Sequence, residues 1–544
     1  MRPVHEIQHV TEEKEAILSA LYESDIATAR EALEQGLITC VELTEYFLER
    51  IDTYNDTYNC FITLCDNALE VAAVRDELLA QEGEHPALLG IPIVVKDNIA
   101  YKGYPTTNGY WKYGSVSWEN ATVVQTLLDA GAVILGKTNM STAAEEAQFT
   151  CSDAVGETFN AYGTHLSSGG SSGGSASAVS LNFCYAGLGT DTNASLRYPA
   201  VLNGCVSMRT TKGLLDREGV VILNYTRDVP GVITRSVKDQ AIVLGELTEV
   251  NYADSLDANA LEGKRIGVLQ EFCYNKTAIS YRRESLMDKE IKAAFEQTCA
   301  DLKSLGAIVI PVSIPNIFRL AESCGNNGTY AIEKYLSVYE SLFEERQLDA
   351  VIFPTYLHTP DDSLAVKGWY SLNYDTFYSN CAILSSALGV PEVSIPIAYH
   401  SKGAGIGMEI AGLKGSEELL LNLAYSYTEH FDTRKAPTES APNLYTSDLS
   451  LQDLIDQAQE PPLPVTEATE VTEAPTTSET VTECTEETET ATDSGDEETD
   501  RRGTSGTAWI AALMVVPAIV FAISYGKKLQ TKKASIIQFL DKLV

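Results

Sequence analysis

Cysteine is scarce. Eleven in 544 residues, with no Cys-x-x-Cys pair, exclude a disulfide scaffold and the zinc signatures built on paired thiolates. The seven histidines are scattered, and nothing in the chain calls for a metal or a cofactor. Positive charge is also short: 39 Lys+Arg against 76 Asp+Glu give a net charge of −37. A chain this acidic repels phosphate backbones, which excludes nucleic acid as the main partner. From Ser24 to His430 there is no repeat, no long linker and only one low-complexity cluster, rich in Gly and Ser. No lysine follows the glycines of that cluster, so it is not a phosphate loop.

What is present divides unevenly. Hydrophobic residues make up 44% and charged residues 21%, ordinary proportions for a chain with a large core. Residues 461–500 hold 13 Asp/Glu, 12 Thr and no Lys or Arg. That composition has little apolar surface to offset the entropy of ordering, and 441–506 is expected to be a disordered Thr/Glu-rich spacer. Residues 1–460 still carry −30. Thr507–Tyr525, TAWIAALMVVPAIVFAISY, is 19 residues without a charge. At helical rise it spans about 28 Å, enough for a bilayer core, so 507–525 is expected to be a transmembrane helix with the lipid bilayer as partner. Residues 526–544 then form a basic tail.

Lys527, Lys528, Lys532 and Lys533 after the span outnumber Arg501 and Arg502 before it, which puts the body on the outer face. Residues 1–24 lack the apolar core of roughly 7–15 residues that a signal peptide needs, which would instead suit a tail anchor with a cytoplasmic body. Five Asn-x-Thr sequons, among them Asn120 and Asn224, do not decide between the two.

The body, residues 1–440, is expected to be one α/β domain. Segments 68–83, 121–132 and 288–307 have helical periodicity and each stops at a glycine. Short apolar runs alternate with them at 89–95, 132–136, 264–269, 307–312, 348–354 and 393–397. This alternation is the pattern of a mixed central sheet covered by helices.

Three segments carry chemistry. GIPIVVKDN (90–98) ends a buried run on Lys96, where an ammonium is costly unless paired or neutral; the plain alternative is a lysine that reaches the surface. SSGGSSGGSA (167–176) sets serines among glycines and feeds an apolar run, which points to close packing rather than a linker. GTDTNASLRYP (189–199) offers Ser195 after a tight polar turn, either an ordinary turn residue or a nucleophile beside backbone N–H donors. No Gly-x-Ser-x-Gly surrounds Ser195 and no His lies near it, so a Ser-His-Asp site gains no support. His165 reads as a structural hydrogen-bonder, and Cys184, Cys205 and Cys381 as core.

In this order and spacing, with Ser171 and Ser195 24 residues apart, the chain resembles the amidase signature family. The resemblance extends through 37–51, 121–140, 230–247, 348–355 and 388–412, so that it covers roughly residues 20–432. It implies a Ser–cis-Ser–Lys triad: Ser195 as nucleophile, Ser171, after a cis Gly170–Ser171 bond, as proton shuttle, and Lys96 as base. It implies an oxyanion hole from the backbone N–H groups of Thr192, Asn193, Ala194 and Ser195, with Asp191 and Arg197 bracing the loop. The implied activity is hydrolysis of a small-molecule amide C–N bond through a serine acyl-enzyme, here on a membrane anchor. The alternatives are the A subunit of an amidotransferase, or else a catalytically silent binding protein on the same fold. One departure stands out: Asn193-Ala194 replaces the family's Gly-Gly, and Ala194 would be strained if its φ had to be positive. Ser168, where the family has proline, is a smaller one.

Overall fold

A computed structural model of the chain describes residues 11–459, apart from 113, 274–286, 316, 318–328 and 368–381. The spacer from 460 onward, the span expected at 507–525, the basic tail and Cys381 lie outside the described residues. Among the described residues no helix is long and apolar enough to cross a membrane.

The six apolar runs become strands of one sheet, which among the described residues has eleven strands, five of them not expected from the sequence. In chain order the eleven are β1 Phe61–Leu64, β2 Pro92–Lys96, β3 Val133–Thr138, β4 Ala186–Asp191, β5 Val206–Arg209 and β6 Val229–Thr234. They continue as β7 Arg265–Leu269, β8 Ile308–Val312, β9 Ala350–Pro354, β10 Glu392–Tyr399 and β11 Gly405–Ala411. The order across the sheet is β1-β3-β2-β4-β6-β5-β10-β11-β9-β7-β8. Pairing is parallel for β3-β2-β4 and for β9-β7-β8, and antiparallel between. The mixed sheet expected from the sequence is therefore what forms.

The three expected helices are Ala68–Leu79, Thr122–Asp129 and Lys289–Ser304, each ending before the glycine that marks its stop. Asp288 caps the last by accepting from the N–H groups of Glu290 and Ile291. The Gly/Ser cluster leads into the helix Gly173–Ser180, every residue of which is buried. Its glycines are required by space: a Cβ on Gly174 would lie 2.2 Å from the Asn139 carbonyl oxygen.

The body does not end at 440. Arg50, fully buried, donates to the carbonyls of Leu181, Asn182, Ala441 and Pro442. Beyond them the helix Leu451–Gln459 buries Leu451, Leu454 and Ile455 in the main core. The polar composition of residues 441–459 suggests spacer. Three apolar side chains at helical spacing, and carbonyls that satisfy a buried guanidinium, attach them to the domain instead.

Each buried aliphatic side chain contributes about 1.5–3 kcal/mol. A chain ending at 459 should therefore keep the melting temperature of the full chain, and one ending at 440 should melt several degrees lower. Differential scanning fluorimetry of the two truncations reads this directly.

Candidate active site

Two parallel strands meet the site end-on. Val94 faces Gly187 and Val95 faces Leu188 across β2 and β4, so the carboxyl ends of both strands open onto one crevice. Lys96 closes β2 and is fully buried. Its Nζ lies 2.8 Å from Ser171 Oγ and 2.9 Å from Thr190 Oγ1, and Asn98 Nδ2 donates to the same threonine at 3.1 Å. Burial pulls the Lys96 ammonium down to about 7, against the opposing pull of Asp191 and Asp228. The lysine does not escape to the surface. It is held where its neutral form is accessible near pH 7, in hydrogen-bond contact with a serine hydroxyl.

Ser171 follows a cis Gly170–Ser171 peptide and is fully buried. The Ser195 loop is tied to it through the backbone: Ser172 N–H donates to the Ser195 carbonyl at 3.0 Å. Ser195 retains 5% exposure, and among the described residues its hydroxyl is not hydrogen-bonded to Ser171. Catalytic hydrogen bonds are often long before substrate binds. Nor do the backbone N–H groups of Thr192, Asn193, Ala194 and Ser195 donate to any backbone acceptor among the described residues.

The departure at Asn193-Ala194 costs no backbone strain, because neither residue has positive φ. Ala194 is buried beside Leu166, Tyr198 and Tyr356. Asn193 turns its side chain outward, where Oδ1 accepts from Arg227 at 2.6 Å, and its carbonyl accepts from Arg197 at 2.7 Å and Ser386 at 2.6 Å. Ser168 Oγ donates to the Thr158 carbonyl at 2.9 Å.

Under this loop lies a buried charge cluster of which the sequence pointed only to Asp191 and Arg197. Those two form an ion pair at 3.0 Å, and Arg209 reaches Asp191 at 3.0 Å from the other side. Burial alone would raise Asp191, but the two guanidiniums overcome it and hold the carboxyl below its usual range. Arg197 also binds Glu392 and lies 3.7 Å from Glu409, which accepts from Thr355 at 2.7 Å and Ser394 at 2.6 Å. Burial pushes Glu392 up, and the neighbouring Glu409 adds to this, against the opposing pull of Arg197. A second buried lysine, Lys137 near the end of β3, sits 3.8 Å from Asp97 and is pulled down to about 8 by burial. Sequence reasoning missed Arg209, Glu392, Glu409 and Lys137; a charge inside an otherwise apolar strand run was the available signal. His165 is exposed against the Lys402 carbonyl, and Cys184 and Cys205 are core residues.

A buried lysine thus bonds to one serine, and a second serine lies on an adjoining loop whose N–H groups donate to no backbone acceptor among the described residues. The amidase family model matches residues 42–334, and the chain belongs to that family. The glutamyl-tRNA(Gln) amidotransferase of Desulforapulum autotrophicum has an A subunit that is 35% identical over 484 residues, covering 74% of this chain and 96% of that one. Mandelamide hydrolase of Pseudomonas putida is 31% identical over 487 residues, covering 77% and 94%. The native peptide amidase of Stenotrophomonas maltophilia superposes with a TM-score of 0.66 at 26% identity, covering 77% of this chain and 99% of that one. The chain is thus an amidase, a hydrolase of linear amide C–N bonds.

The charge cluster makes two isosteric substitutions behave differently. Asp191→Asn leaves two buried guanidiniums short of a counter-charge and should cost about 3–5 kcal/mol. Glu392→Gln alters a group whose charged form burial and Glu409 disfavour, and should cost less, about 1 kcal/mol. Urea denaturation of both variants at pH 7 checks this.

Proposed function

We propose that the chain hydrolyses a small-molecule amide through an acyl-enzyme on Ser195, with Ser171 as proton shuttle and Lys96 as base. The contact between buried Lys96 Nζ and Ser171 Oγ at 2.8 Å carries the reading. A serine hydroxyl is a poor nucleophile until a base takes its proton, and a lysine can be that base only when neutral. Neutral Lys96 accepts the Ser171 proton as Ser171 accepts that of Ser195. Ser195 Oγ then bonds to the carbonyl carbon, and the developing oxyanion lies among the N–H groups of residues 192–195. The proton returns through Ser171 to the leaving nitrogen as the C–N bond breaks. Water, deprotonated by the same relay, releases the carboxylate. Asp191 and Arg197 hold the loop and take no part in proton transfer.

The uncharged run 507–525 supports a single-pass membrane anchor for this enzyme, and the basic residues after it support a body on the outer face. The similarity to the A subunits of amidotransferases supports a second reading, a catalytic chain working with partner proteins. Co-purification of a stoichiometric partner would favour it.

A fluorophosphonate probe should label the full chain and not Ser195→Ala. The labelling rate should rise with pH through about 7, as Lys96 loses its proton, and level off above. Lys96→Ala should lower the rate by at least ~100-fold and remove that rise. Equal labelling of Ser195→Ala would dismiss the assignment.

A further inference from the structure

Seven of the fifteen exposed large apolar side chains among the described residues fall in two segments, 98–121 and 209–228. Trp118 is 87% exposed, Tyr225 77% and Trp111 72%. Val116, Leu214, Val221 and Leu223 accompany them. The segments are joined through their backbones: Ala100 N–H donates to the Gly219 carbonyl, Val221 N–H to that of Asn98 and, just past the first segment, Thr122 N–H to that of Glu218.

This surface borders the site. Asp97, next to Lys96, accepts from Thr107 and Gly109 of one segment. Asp228 and Arg227 of the other bond to Thr192 and Asn193 of the nucleophile loop. Its charge is opposite to that of the body. Lys102, Lys112, Lys212, Arg217 and Arg227 lie on it beside Glu119, Asp216 and Glu218, and the two segments together carry +2 where residues 1–460 carry −30.

We infer that this rim is a lipid-contacting face that seats the mouth of the active site on a bilayer surface. The inference rests on reading 507–525 as a span. Trp and Tyr rings pair an apolar body with a polar edge and are favoured at the depth of lipid headgroups. Basic side chains beside them add attraction to lipid phosphates. Exposed apolar patches of this kind mark interaction surfaces. The 47 residues between Gln459 and Thr507 permit a reach of up to ~160 Å, so chain length does not prevent seating. Confinement near the membrane raises the effective concentration of the patch, so weak contacts suffice.

The test uses the full chain reconstituted in phosphatidylcholine vesicles. In a Trp369→Phe, Trp509→Phe variant only Trp111 and Trp118 remain to fluoresce. Vesicles brominated near the headgroup end of the acyl chain should quench that fluorescence at least twofold. In the unmodified chain, amide exchange of 105–118 and 214–225 should slow at least fivefold between detergent micelles and vesicles. If the chain floats with vesicles but neither change occurs, the seating is wrong and the anchor stands. If the chain does not float, the anchor fails and the inference falls with it. Protection that requires a co-purifying protein and persists without lipid overturns the inference in favour of a protein partner. Fluorophosphonate labelling of the same samples reports the amidase site separately, since its loss would leave flotation and quenching untouched.

Discussion

The structure turns on burying one lysine. Lys96 ends a strand that is apolar throughout, and among the described residues its amine bonds only to two hydroxyls, those of Ser171 and Thr190. Folding works against the charged form. The free side chain titrates near 10.4 and the buried one near 7, so between those values the unfolded chain holds a proton that the native state lacks. Native stability therefore falls as pH drops from about 10 toward 7. At about 1.4 kcal/mol per pK unit, the site costs the fold a few kcal/mol at neutral pH. What the fold holds in return is an amine whose neutral form is accessible near pH 7.

A second constraint keeps the Ser195 loop in place without glycine. Arg197 and Arg209 clamp Asp191 at the end of β4, and Arg197 reaches on to Glu392 and Glu409 in β10 and β11. Ser195 thus sits between a strand end and a helix, both anchored to the far half of the sheet. The two guanidiniums are bonded to acidic side chains of three strands, β4, β10 and β11. This anchoring, together with backbone angles that suit any L-residue, explains how Asn193-Ala194 is accommodated.

Much of this was legible because it is local. Six of the eleven sheet strands and three of the helices followed from periodicity and glycine stops, and attention fell on Lys96, Ser171 and Ser195 through a family resemblance carried by three short motifs. What was not legible is long-range. Glu392 and Glu409 lie about two hundred residues from Arg197, and single-sequence patterns do not pair residues at that distance. Residues 441–459 look like spacer because their value to the fold lies in carbonyls offered to Arg50, which composition does not register. The strain considered at Ala194 depended on a φ that only coordinates reveal.

Burial of Lys96 makes its neutral amine accessible near pH 7. Nitrogen-15 NMR of lysine side-chain amines, with the Lys96 signal assigned by its loss in Lys96→Met, measures this directly. A titration midpoint near 7 is expected for that signal. A midpoint near 10, the value of a solvated lysine, would contradict it.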